Sequence, residues 1–228
     1  IRKEIEEGKQ MNNKTLSLAI AATSLIAVPA MADYTGLSFD GMDNGDGTWT
    51  ARIYANFSAA TDQLNAVYGD ASNDLMIMSS GGFYQNAFGS HSSAGINPAL
   101  IPAFPSLAMD SWVTIGLEDQ TGNAMLDIGI DWAGFNSGGD IMTSNGSWFA
   151  TPEDDQCLAG SDLRVMIGQF TMLGSDSTVS GVVNFQGKVG DNETFVATGQ
   201  AFEYSMIPAP GALALLGLAG VASRRRRK

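Results

Sequence analysis

The feature that most limits what this chain can fold into is the period-two alternation of apolar and polar residues, cut at short intervals by Gly, Asn, Asp and Ser. Over 49–57, Trp49, Ala51, Ile53, Ala55 and Phe57 fall on one side of an extended chain, and Thr50, Arg52, Tyr54 and Asn56 fall on the other. Val113, Ile115 and Leu117 alternate with Trp112, Thr114 and Gly116. Leu126, Ile128, Ile130 and Trp132 alternate with Asp127, Gly129 and Asp131. Further strand candidates are 64–68, 75–79, 163–172, 178–186 and 194–204. No long stripe with a 3.6-residue period accompanies them, so helices cannot supply the core. The pattern predicts an all-β domain over 33–206, an antiparallel β-sandwich of jelly-roll or immunoglobulin-like type. The stretch 85–110, with three prolines and a Ser-His-Ser-Ser run, breaks the alternation and predicts a long loop with a helical turn in INPALIPAF.

Composition removes several functions. One Cys and one His in 228 residues cannot build an intramolecular disulfide or a structural zinc site of the usual ligand set. The net charge is −12, and the basic residues are unevenly placed. Residues 33–206 hold only Arg52, Arg164 and Lys188 against 21 acidic side chains, a net of −18. Such a surface repels phosphate backbones, so no nucleic-acid partner is expected.

The two ends read as addresses. From Met11 a short polar start with Lys14 leads into an apolar run over 16–30 and then Ala30-Met31-Ala32. This is the layout of a secretory signal peptide over 11–32, forming a signal helix, with Ala30 and Ala32 at the small-residue positions and cleavage after Ala32. The implied partners are the secretion translocon and signal peptidase. Residues 1–10, charged and without an initial Met, read as a gene-start artefact. At the other end, over 207–228, Pro208-Ala209-Pro210 precedes an apolar stretch over 211–223 and then Arg224, Arg225, Arg226, Arg227 and Lys228. A hydrophobic helix of that length is short of a full bilayer span, and the basic end fits a stop-transfer anchor. The segment resembles the PEP-CTERM sorting signal of Gram-negative bacteria, with Ala209 standing where that family has a central Glu. The resemblance implies recognition by an exosortase-type protease, a transient inner-membrane anchor, and delivery to the cell surface or the extracellular space. It also implies company with exopolysaccharide in a biofilm matrix.

Candidate chemistry in the middle is sparse. Asp40, Asp43 and Asp46 lie in FDGMDNGDGTW, where Asp-Gly ahead of an alternating run signals a hairpin turn and no closing Glu completes a calcium loop. Glu153, Asp154 and Asp155 follow Pro152 and read first as solvated loop charge, with a Ca site as the alternative. Asp127 and Asp131 share a face but stand about 13 Å apart along a strand, too far for a glycosidase pair, and Glu118 and Asp119 belong to a turn. His91 has no nucleophile elbow around it. Cys157 follows an acidic run that disfavours its thiolate. Trp112 and Tyr54, opposite the Ile and Val positions of their strands, form a candidate glycan platform, with packing beneath the long loop as the competing reading. The sequence therefore points to a noncatalytic surface or matrix protein with a structural or adhesive role and no cofactor. A carbohydrate-binding module is the alternative and a hydrolase a distant third.

Overall fold

A computed structural model describes residues 33–206 apart from Glu153. These residues form β1 (Tyr34–Asp43), β2 (Thr48–Phe57), β3 (Gln63–Gly69), β4 (Leu75–Ser79), β5 (Trp112–Val113) and β6 (Leu126–Ile128). They continue with β7 (Ile141–Thr143), β8 (Gly146–Phe149), β9 (Arg164–Leu173), β10 (Val179–Val189) and β11 (Glu193–Tyr204). Helical structure is confined to short 3₁₀ turns, three of them within the loop over 85–110. The fold is all-β with antiparallel sheets.

One sheet has the order β1-β2-β9-β5. The other is organised on β10, which pairs with β11 along one edge and with two strands in succession along the other: β4 at 179–182 and β3 at 184–188. β3 and β4 thus form one line broken at 70–74. Outside them β8 pairs with β3 and β7 with β4, a second line broken at 144–145, and β6 closes the edge beside β8. The first break is built from local hydrogen bonds. Asp70 and Asn73 exchange backbone bonds, and the Asp70 carboxylate accepts from Ser72 N and Asn73 N. The fully buried Asn184 sits beside this break, where its amide donates to Tyr68 O at 2.8 Å and Asn73 O at 2.9 Å and accepts from Gly199 N at 2.8 Å.

The two sheets share one apolar cluster. Trp49, Ile53 and Phe57 of β2 meet Val67, Ile77, Val183 and Phe185 of the second sheet, each at most 3% exposed. Each such side chain contributes about 1.5–3 kcal/mol through burial. The two innermost indoles are satisfied, Trp49 by Ser177 O at 3.2 Å and Trp148 by Thr114 O at 3.0 Å. Along one flank the edge strands β1 and β11 are closed by rings. Tyr34 stacks on Phe195 with centroids 6.1 Å apart, and Phe39 stacks on Tyr204 at 5.0 Å. Burial pushes the Tyr34 phenol up to about 12.

The alternation over 49–57, 64–68, 75–79, 163–172, 178–186 and 194–204 corresponds to β2, β3, β4, β9, β10 and β11. Two expectations are corrected. The strand read at 126–132 is extended only over β6, and its apolar side is outward, with Leu126 61% and Ile128 67% exposed. Asp127, paired with Trp148 of β8, accepts from Trp132 Nε1 at 2.8 Å and faces His91, so it holds the side toward those rings while all three residues of β6 stay exposed. The strand read over 112–117 is regular only over Trp112–Val113, although Thr114 N and Gly116 N still donate to Ile167 O and Met166 O of β9, and the chain turns at Gly116, whose φ is 77°. β1, β7 and β8 complete the sheets without having been anticipated. The expected signal helix at 11–32 and hydrophobic helix at 207–228 lie outside the described residues. Among the described residues no helix is long and apolar enough to cross a membrane.

Candidate functional site

The side of β2 that faces away from the shared core sets the candidate site. Thr50, Arg52, Tyr54 and Asn56 stand opposite Thr171, Gln169, Met166 and Arg164 of β9. In an ordinary sandwich this face would be solvated, but here the loop over 85–111 lies across part of it. Ser111 Oγ accepts from Thr171 N at 2.9 Å. Gln169 Nε2 donates to Ala108 O and Asp110 O, both at 2.9 Å, while its Oε1 accepts from Arg52 Nε at 3.0 Å. Tyr54, Ile96, Leu107, Trp112 and Met166 form a second apolar cluster under the loop. The loop's own organiser is Asp110, whose carboxylate accepts from Asn86 N at 2.6 Å and Ser90 N at 3.0 Å. Its complete burial outweighs those bonds and pushes its pKa up to about 6.

The glycan-platform reading of Trp112 and Tyr54 is corrected by this arrangement. Trp112 is 3% exposed and Tyr54 7%, and the ring of Tyr54 carries the Arg164 guanidinium at 3.9 Å from its centroid. Neither ring offers a free face for stacking, because the loop and Arg164 already occupy those faces.

Beyond the loop the same face opens into a depression of about 470 Å³ bordered by Asp40, Arg52, Tyr54, Glu118, Arg164 and Met166. Arg52 makes a forked pair with Glu118, Nη1 to Oε1 at 3.0 Å and Nη2 to Oε2 at 2.8 Å. Arg164 Nη2 meets Asp40 Oδ2 at 3.0 Å. The Arg52–Glu118 pair also borders a smaller hollow of about 140 Å³ that Trp112 and Ile96 line. Burial raises the Tyr54 pKa, and the nearby Asp40 charge raises it further. Both ion pairs are substantially exposed, so each stabilises the fold by no more than about 1 kcal/mol. What they present is alternating donor and acceptor oxygen and nitrogen atoms around a depression, a surface suited to hydroxyl-rich ligands. Sequence reading missed this set, since Asp40, Arg52, Glu118 and Arg164 are remote from one another along the chain. Its one available signal was the scarcity of cations: two of the three basic residues in 33–206 meet here.

The remaining candidates take separate places. His91 Nε2 lies 3.3 Å from Asp127 Oδ2, and its ring stacks on Trp132 with centroids 4.6 Å apart, pinning the loop to the segment after β6. Asp131 instead accepts from Ala133 N at 3.0 Å, so Asp127 and Asp131 serve different local structures. Asp43 accepts from Gly45 N and Asp46 from Thr48 N, shaping the β1–β2 turn. The Thr48 hydroxyl and amide hold the Asp46 carboxyl below its usual range. Glu118 belongs to the groove, while Asp119 accepts from Thr121 N within its turn. Of the Glu153, Asp154, Asp155 group, Glu153 lies outside the described residues, and Asp154 caps the 3₁₀ turn Asp155–Cys157 by accepting from Gln156 N. Cys157 is buried, its thiol directed to Thr151 O at 3.3 Å. Ala30, Ala32, Pro208, Ala209, Pro210 and the Arg cluster lie outside the described residues. Among the described residues no three His, Cys, Asp or Glu side chains gather as a metal site.

No protein-family model and no curated protein matches the sequence. Among solved structures, the chain is similar to the collagen-binding domain from a Staphylococcus aureus adhesin, at 13% identity and a TM-score of 0.30, over 75% of this chain and 95% of that one. A superposition that loose carries no argument about topology or ligand.

Proposed function

We propose that this chain is an exported, noncatalytic protein of the cell surface or extracellular matrix of a Gram-negative bacterium, acting by structural presence or adhesion. Its frame is read as a sandwich of jelly-roll or immunoglobulin kind. The observation that carries the reading is the segment Pro208-Ala209-Pro210, apolar stretch and Arg224, Arg225, Arg226 and Arg227, placed directly behind the all-β domain whose last strand ends at Tyr204. The carboxylates agree with a noncatalytic role: Asp43, Asp46, Asp119 and Asp131 shape turns, Asp154 caps a 3₁₀ turn, and Asp40, Glu118 and Asp127 face an Arg or a His. Mass spectrometry of the protein recovered from cells tests the reading. A mature chain beginning at Asp33 and lacking the Arg cluster is expected, and surface material that retains the cluster would contradict exosortase-type processing.

A second reading, carbohydrate binding, draws support from the groove between Arg52–Glu118 and Arg164–Asp40. Glycan-array binding that disappears in Arg164→Ala is the expected outcome. A parent protein that binds no glycan removes this reading while leaving the export reading intact.

A further inference from the structure

The outer face of the β10-centred sheet carries a row that crosses it. Leu126, Phe149, Ala66, Gln186 and Val196 stand opposite one another on β6, β8, β3, β10 and β11. Both ends of the row are open, Leu126 at 61% and Val196 at 58% exposure. Beside it lies a depression of about 330 Å³ lined by Asn65, Phe149, Pro152, Gln186, Lys188 and Thr194.

One ammonium stands there among neutral amides and hydroxyls. Lys188 makes no ion pair among the described residues, although the domain around it is heavily acidic. Its Nζ donates to Thr194 Oγ1 at 2.9 Å, which fixes the ammonium and leaves the Thr194 hydroxyl proton for another acceptor. Asn65 Nδ2 is buried with no hydrogen-bond partner. An orphaned donor of that kind costs roughly 1–3 kcal/mol, a penalty that an arriving acceptor removes. Among the described residues, a cation without an ion pair, a hydroxyl proton left for another acceptor and an unsatisfied amide therefore share one depression with a half-exposed aromatic ring.

We propose that this depression binds a carboxylate-bearing sugar, an isolated uronic acid unit in an otherwise neutral linear polymer, since a run of carboxylates would meet the repulsion that excludes phosphate backbones. The carboxylate pairs with Lys188 and accepts from Thr194, the ring lies against Phe149, and a hydroxyl oxygen takes the Asn65 amide. Neighbouring units extend along the row across the sheet. A neutral sugar would leave the ammonium unpaired, and a bare anion would make no use of Phe149. The site lies on a different sheet from the groove of Arg52 and Arg164 and does not depend on it.

Calorimetric titration of the full-length protein with a galactose oligomer carrying one galacturonate unit, and with the all-galactose oligomer of equal length, tests the proposal at about 0.15 M salt. The uronate oligomer should bind, Lys188→Met should weaken binding by about tenfold or more, and Asn65→Leu should weaken it several-fold. Arg164→Ala should leave it unchanged. Equal binding of the neutral oligomer, an unaltered Kd in Lys188→Met, full competition by acetate, or no binding at all would each overturn the proposal. Loss in Arg164→Ala instead of Lys188→Met would transfer sugar recognition to the groove. Lys188 is half-exposed and its replacement leaves the core untouched, so this variant stays decisive if Asn65→Leu fails to fold.

Discussion

Asp110 shows what one buried carboxylate does to a loop. An unfolded Asp titrates near 3.9, whereas the folded one titrates at about 6. Its contribution to stability is therefore fully present below the unfolded value and is lost as pH rises through the folded one. Urea unfolding should show a loss on the order of 2 kcal/mol between about pH 4.5 and 7.5 relative to Asp110→Asn. Parallel pH profiles for the two proteins would rule that out. At Gly116 the constraint is steric, since a Cβ there would lie 2.0 Å from Gln156 O and the φ of 77° is strained for any side chain. Gly116→Ala should lower stability by about 2 kcal/mol or more, read as a drop in Tm. Trp112→Ala should act as a core deletion, with a loss of about 3–5 kcal/mol by denaturant titration, because its ring is packed under the loop.

At the scale of elements, Gln169 couples β9 to the loop and to β2 at once. Gln169→Leu leaves the Ala108 and Asp110 carbonyls without that donor and releases Arg52 Nε. Amide exchange over 105–111 should accelerate by an order of magnitude or more while β9 and β2 stay protected, and uniform acceleration would mean that the loop unfolds only with the whole domain. The strands that could be read in advance are those whose alternation agrees with burial, β2 above all, where Trp49 to Phe57 on odd positions form the core side. Those that could not are short or answer to distant partners. β7 and β8 are three and four residues long, too brief for a period to declare itself. β6 reverses its expected sides because Asp127 is engaged by Trp132 and His91, the latter a contact between segments that no local pattern encodes. The groove was hidden for the same reason, its four charged residues arriving from β1, β2, β9 and the turn after β5. For Tyr54 and Trp112 the sequence left two readings, an exposed platform and cover by the long loop, and their own strands cannot choose between them because the covering residues come from the loop.

For the molecule as a whole, the net charge of −18 over 33–206 makes self-repulsion a standing cost to the compact state. Added salt should raise Tm between about 0.02 and 0.5 M, and a Tm that falls over that range would mean that the Arg52, Arg164 and His91 pairs outweigh the repulsion. The ring contacts between β1 and β11 also bear on mechanics. Tyr34, at the start of β1, stacks near the start of β11 on Phe195, and Phe39 stacks near its end on Tyr204, so the two strands run the same way along the flank. The chain therefore enters and leaves the domain at opposite ends of that flank. Tension applied between those ends pulls β1 and β11 lengthwise against β2 and β10, loading all their ladder bonds together and not one at a time. The geometry favours resistance to shear over unzipping.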